Sequence, residues 1–214
     1  MALPAETRSR NAIRTPDVVK GQGIHYTPPQ LAAFLARRMV AQLDMSQPEL
    51  TVLDPACGEG ELLSAIARFA APRVKTLTLV GVDRDDLAVA RARATLGALG
   101  VRVELMVGDF LDLVQAEQLV LPHEAQPVDL YPARTFDAIV SNPPYVRTQV
   151  LGADTARALA ARFQLSGRVD LYQVFVRAMT PSLRLGGIMG LLCSNRFLTV
   201  EAGAALRELL SREF

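Results

Sequence analysis

Short apolar runs alternate along this chain with segments whose apolar residues recur at helical spacing. The runs fall at 50–54, 76–83, 101–107, 136–141 and 188–194, and Gly, Pro, Asn or Asp residues flank them, as expected of buried strands. Between them, 61–71, 86–99, about 171–185 and about 200–212 read as helices, with Gly100 and the pair Gly186-Gly187 as stops. Ahead of the first run, Leu31, Phe34, Leu35 and Met39 keep helical spacing. Thr27 reads there as the N-cap and Pro28 as the first helical residue. Residues 1–20 read as a flexible N-terminal arm. Residues 114–135, with Pro122, Pro127 and Pro132, read as an irregular insertion.

Strands that alternate with helices predict an α/β fold, a mostly parallel Rossmann-like sheet with helices on both faces. Right-handed crossovers bring the C-terminal end of every strand to one edge. Open sheets of this kind take their ligands there. Asp54, Asp83, Asp109 and Asn142 all fall at or just past strand ends, so the pattern alone gathers the chemistry of the chain in one place.

Composition narrows the class without naming it. Of 214 residues, 50% are hydrophobic and 21% charged, enough apolar content for a core and too much for a disordered chain. The formal net charge of +1 shows no basic excess, so any phosphate-binding surface has to be local. Cys57 and Cys193 stand far apart without metal-ligand spacing, which suits a reducing cytoplasm and no disulfide framework. The N-terminus lacks the apolar stretch of a secretory signal, and the longest apolar run reads as a strand and not as a membrane span.

Four motifs carry chemistry. Asp54-Pro55-Ala56-Cys57-Gly58-Glu59-Gly60 is a glycine turn between strand and helix, where backbone can approach a ligand closely. An ordinary tight connection is the plain alternative, and the spacing is not that of the dinucleotide fingerprint. Asp83 at the next strand end can accept from both hydroxyls of a ribose, or can simply cap the following helix. Gly108-Asp109-Phe110 offers a carboxylate for an adenine amino group and a ring for its face, or a turn with one core Phe. Asn142-Pro143-Pro144-Tyr145 carries the most weight. Two prolines after a strand make a stiff segment poor in donors. That segment presents the Asn142 side-chain oxygen and the Pro143 carbonyl as two acceptors, which suits an amino group with two hydrogens. Tyr145 adds a flat face for a planar ring. His25 and His123 have no acid or metal partner in sequence and are assigned to structure or solvent. Asp170 and Tyr172 read as orienting the helix behind the site. Arg147, Arg157, Arg162 and Arg168 read as phosphate contacts or as a solvated loop.

Together, in this order and from about residue 20 onward, these motifs resemble the adenine-N6 DNA methyltransferases, in particular the TaqI-like and Eco57I-like branch in its gamma arrangement. The resemblance implies the class I methyltransferase fold and S-adenosyl-L-methionine as cofactor. Thr27 would contact the cofactor's methionine carboxylate, and Asp54, Pro55, Ala56, Cys57 and Gly58 would line the methionine moiety. Asp83 would bind the ribose and Asp109 the adenine, with Phe110 packed on that base. Asn142, Pro143, Pro144 and Tyr145 would hold a target adenine flipped out of double-stranded DNA. No metal is implied. Residues 21–214 would be the catalytic domain of a cytoplasmic restriction-modification or phage-defence protein. Two further sheet strands and a recognition domain or subunit would lie beyond residue 214, leaving this chain weak in cofactor binding and poor in transfer on its own. The competing readings are an RNA or protein-glutamine methyltransferase of the same fold, and a non-catalytic cofactor-binding subunit.

Overall fold

The computed structural model describes residues 27–114, 135–146, 152–165, 170–199 and 203–214. The expected arm at 1–20, nearly all of the expected insertion, His25, His123, Arg147 and Arg168 lie outside the described residues. Within them the helices are α1 (Pro29–Val40), α2 (Glu61–Ala70), α3 (Asp86–Gly97), the single turn α4 (Phe110–Leu113), α5 (Ala153–Arg162), α6 (Leu171–Met179) and α7 (Ala204–Glu213). The strands are β1 (Glu49–Asp54), β2 (Thr76–Asp83), β3 (Arg102–Val107), β4 (Phe136–Ser141) and β5 (Leu183–Leu191).

The strands form one sheet in the order β3-β2-β1-β4-β5, and every neighbouring pair is parallel. The chain builds outward from β1 to β3, then crosses back to lay β4 on the other side of β1. The order therefore reverses between β1 and β4, and their carboxyl ends bound the crevice where such sheets take ligands.

Alternation along each strand separates two apolar layers. Val52, Leu79, Ala138 and Val140 face Ala36 of α1, Leu63 and Ile66 of α2 and Leu96 of α3. Their sequence neighbours Leu53, Val80 and Ile139 face the opposite side, with Phe110, Phe175, Met179 and Leu209. The helices thus cover both faces, as the alternating pattern predicts. Asp137 ties the switch-point strands together: its carboxylate accepts from the Thr51 amide at 2.6 Å and the Thr51 hydroxyl at 2.8 Å, and it pairs with Arg184.

Three local expectations are corrected. Thr27 is not an N-cap. The cap is Pro28 in extended backbone, the helix opens on Pro29, and no side chain caps it. Proline at the first helical position gives up an N–H that had no helical acceptor, and the Thr27 hydroxyl is engaged elsewhere, as described below. The helix expected to run to about 185 ends at Met179, and a 3-10 turn over Thr180–Ser182 containing Pro181 leads directly into β5. Gly186-Gly187 is consequently inside a strand and stops no helix. The β4–β5 register jumps between Phe136↔Leu183 and Ala138↔Ile188, and Gly186 adopts φ +75° within the resulting bulge. Finally, the segment 153–162 is the helix α5, which the polar pattern there did not announce.

Candidate functional site

The C-terminal edge of the sheet is linked from strand to strand. At its centre Asp54 ends β1 and is 1% exposed. One carboxylate oxygen accepts from the Ala56 amide at 3.1 Å, and the other is buried without a hydrogen bond. Burial pushes the Asp54 carboxyl up to about 8, with Asp83 adding in the same direction and the Ala56 amide opposing it. The Ser141 hydroxyl, at the end of neighbouring β4, stands close enough to favour the Asp54 carboxylate yet lies outside hydrogen-bonding geometry, and is itself unpaired. Asp54 and Ser141, on the two strands that bound the switch point, thus each keep a buried polar atom without a hydrogen bond.

After Asp54 the chain turns tightly. The Cys57 amide donates to the Val82 carbonyl at 2.9 Å and the Gly60 amide to the Cys57 carbonyl at 2.8 Å. Gly58 and Gly60 take φ +52° and +84°, a region that side chains rarely enter. The two glycines differ in surroundings. A Cβ on Gly60 would press on Leu96 at 3.1 Å, whereas one on Gly58 would meet nothing within 4 Å. Gly60 thus serves packing against α3, and Gly58 leaves bare backbone beside open space. Cys57 is buried against Gly81, and burial raises its thiol well above the ordinary range, so it behaves as a packing residue.

Asp83 is the strut of this turn. One oxygen accepts from the Gly58 amide at 2.7 Å and the other from the Asp85 amide at 2.9 Å. Each oxygen keeps lone-pair capacity for a further donor. The Asp83 carbonyl accepts from the Gly108 amide at 2.8 Å, which brings the end of β3 alongside. Asp109 caps α4 by accepting from the Leu111 amide at 2.9 Å, and Arg84 lies 3.7 Å from its other oxygen. Phe110 departs from expectation. Its ring is 1% exposed and lies against Phe175 with centroids 6.0 Å apart. A ring held this way offers no face to a bound base. The plain alternative, a turn with one core Phe, describes it here.

Across the switch point, Asn142 follows β4 directly. Its amide nitrogen donates to the Thr27 hydroxyl at 3.2 Å, joining the segment ahead of α1 to the end of β4. Pro143 is buried and Pro144 partly so. The two ends of this motif are clamped by one residue. The Leu192 amide donates to the Ser141 carbonyl at 2.9 Å, and the Leu192 carbonyl accepts from the Tyr145 phenol at 2.6 Å. Burial, with Cys193 nearby, raises the Tyr145 phenol to about 12, so it remains a donor throughout the neutral range. Its ring lies 6.1 Å from that of Tyr172, which sits on α6. A capping box of Asp170 and Gln173 opens that helix, and the Asp170 amide donates to Gln173 at 2.9 Å. Asp170 thus caps the helix that carries Tyr172 behind Tyr145.

The structure accordingly brings Thr27, Asp54 to Gly58, Asp83, Asp109 and Asn142 to Tyr145 along one edge and withdraws Phe110 into the core. Arg162 is also withdrawn: it pairs with Asp112 at 3.1 Å, donates to the Leu111 carbonyl and lies over Phe163. Arg157 pairs with Asp154 on the exposed side of α5. Sequence reasoning missed Ser141 and Leu192. The adjacency of Ser141 to Asn142 at a strand end was a usable signal; Leu192 acts through its backbone and leaves none. Among the described residues no group of three or more His, Cys, Asp or Glu could hold a metal ion, and no helix is long and apolar enough to cross a membrane.

An all-parallel sheet in this order, with acidic residues and a glycine turn along its carboxyl edge, is the class I methyltransferase fold. Solved structures share it. The type I restriction-modification methyltransferase subunit of Streptococcus thermophilus superposes with a TM-score of 0.62 over 87% of this chain and 38% of its own, at 20% identity. A Listeria monocytogenes protein described as a class I S-adenosylmethionine-dependent methyltransferase does so with a TM-score of 0.60 over 86% and 50%, at 17% identity. The chain belongs to the Eco57I restriction-modification methylase family, whose model matches residues 78–213. It is 39% identical over 201 residues to the Type II methyltransferase M.BanIII of Aneurinibacillus aneurinilyticus, a match covering 91% of this chain and 34% of that protein. The chain spans about a third of the length of the curated relatives it matches.

Proposed function

We propose that this chain carries the cofactor-binding and catalytic residues of an S-adenosylmethionine-dependent DNA methyltransferase of a restriction-modification system, acting on the N6 amino group of adenine. The observation that carries the reading is the clamped Asn142-Pro143-Pro144-Tyr145 segment beside Asp54 at the switch point.

The residues present suit the cofactor. Asp54 keeps one buried oxygen without a partner, fit to accept from the amino group of the methionine moiety. Gly58 leaves backbone open at the same turn, and both oxygens of Asp83 retain capacity for ribose hydroxyls. Asp109 keeps its second oxygen for an adenine amino group, with Arg84 as its present neighbour. When bound, S-adenosylmethionine supplies an electrophilic methyl group.

The chain's own part is to hold the acceptor. An adenine amino group is out of reach inside the duplex, so the base has to be extruded. Asn142 Oδ1 and the Pro143 carbonyl accept its two hydrogens, which concentrates the nitrogen lone pair away from the ring. Tyr145 covers the base. Alignment and fixed dipoles do the work, with no covalent enzyme intermediate. Expression of the gene in a host without adenine methylation, followed by modification-sensitive sequencing of host DNA, tests this. Modified adenines in one short motif, absent with Asn142→Ala, are expected. Unmodified DNA together with methyl transfer to RNA or to protein glutamine would overturn it.

A further inference from the structure

The bond between Asn142 and Thr27 has a use beyond tethering two segments. An asparagine side chain presents an acceptor at one end and a donor at the other, and its terminal torsion is broad and roughly two-fold. Only one of the two orientations serves an amino group that donates. In the structure the Nδ2 end is taken by the Thr27 hydroxyl at 3.2 Å, and Oδ1 is the end left over.

Thr27 is well placed to hold that direction. Pro28 and Pro29 follow it, and α1 is anchored by the buried Ala32, Ala36, Met39 and Val40. Met39 in turn packs so closely on Gly190 of β5 that a Cβ there would fall 2.1 Å from its sulfur. The hydroxyl therefore sits two residues ahead of an anchored helix, and Pro28 and Pro29 restrict the backbone between them. A threonine hydroxyl that accepts from Nδ2 keeps its own proton for another acceptor. A hydroxyl can accept from Nδ2 or donate to Oδ1, and in the structure it accepts.

We infer that Thr27 is a positioning residue that sets the amide direction of Asn142, so that Oδ1 and not Nδ2 meets the target amino group. This rests on the function proposed above. It assigns Thr27 a role exerted through Asn142, distinct from a direct contact with the cofactor's carboxylate.

The test compares Thr27→Val, which keeps shape and removes the hydroxyl, with Thr27→Ser, which keeps the hydroxyl. The expected result for Thr27→Val is a kcat lower by about 100-fold, the scale of a misplaced reacting group. Its cofactor Kd and DNA KM are expected to move by less than about three-fold, with Thr27→Ser restoring most of the rate and Thr27→Val adding no loss in an Asn142→Ala background. A second readout needs no substrate. The chain has three asparagines, so the side-chain amide resonance of Asn142 is identified by its disappearance in Asn142→Ala. Its Nδ2 protons are expected to exchange slowly in wild type and in Thr27→Ser, and quickly in Thr27→Val. Equal exchange in all three overturns the inference, as does a Thr27→Val defect confined to cofactor Kd. Slow exchange lost in Thr27→Val, in a wild type that leaves DNA unmodified, would sustain the positioning role and sink the DNA reading instead.

Discussion

Tyr145 donates from its phenol to the carbonyl oxygen of Leu192 at 2.6 Å, across 47 residues of sequence, and so fixes one end of the Asn142–Tyr145 segment to the residue that follows β5. The other end is held by the same residue through its amide. A flat ring useful for stacking is thus oriented by its own polar tip.

Tyr145→Phe should separate these two roles. The ring and its packing on Tyr172 remain, and the bond to Leu192 is lost. A stability loss of about 1 kcal/mol is expected, with a fall in methyl transfer of no more than about ten-fold. Tyr145→Ala removes the ring as well and should cost far more activity than Tyr145→Phe. Paired urea titrations and single-turnover assays check this; equal losses in the two variants would show that the ring itself contributes little.

Asp54 should make stability depend on pH. Its carboxyl is raised from its ordinary 3.8 to about 8. Between those values the folded chain keeps a proton that the unfolded chain releases, so stability falls as pH rises, on the order of 1 kcal/mol per pH unit in the middle of that window. Below about 4 both states are protonated, and above about 8 both are ionised, so the slope vanishes. Asp54→Asn should flatten the profile and stabilise the ligand-free chain most at the alkaline end. Unfolding midpoints at several values from pH 5 to 8 read the difference, and parallel profiles would contradict it.

Gly81 lies inside β2 with no room for a side chain. An added Cβ would fall 2.6 Å from a Leu105 methyl and 2.9 Å from the Cys57 sulfur. Gly81→Ala is expected to destabilise by about 1–3 kcal/mol. It should also weaken cofactor binding, because Cys57 is hydrogen-bonded into the glycine turn that Asp83 braces. Denaturant unfolding and calorimetric titration with S-adenosylmethionine test both halves; unchanged affinity would mean that the strain is relieved on the Leu105 side.

Asp170→Ala removes one partner of the capping box at the start of α6. A loss of about 1 kcal/mol is expected. Amide exchange in the first turn of α6 should quicken, and the Tyr172 contact behind Tyr145 should loosen with it. No change in exchange at Gln173 would refute this.

Much of this was legible in the sequence for a physical reason. The strands β2 and β4 are largely apolar runs that stop at Asp83 and before Asn142-Pro143, so their limits at Thr76, Asp83, Phe136 and Ser141 could be read from the change in polarity and, after Ser141, from the prolines. The position of the site followed from the same limits, since strand ends define the edge. What was misread depended on tertiary context. Gly186-Gly187 looks like a helix stop until a register jump against β4 gives the pair a place within a strand. Helix α5 buries only Ala156 among the residues of its length, so it lacks the apolar stripe that announces a helix. Its run of alanines and arginines was the available signal, through intrinsic propensity. For Phe110 the residues alone favour a core ring and only the family resemblance turns it toward a ligand; in the structure it packs on Phe175 in the core.

The strand order has a consequence for how donor and acceptor would meet. On the function proposed above, the residues assigned to the cofactor lie at the ends of β1, β2 and β3 and those assigned to the target base follow β4, so the β1–β4 pairing is the seam across which the methyl group would pass. Helix α1 staples that seam from one face, because Met39 packs on Gly190 of β5 while Thr27 ahead of the helix meets Asn142.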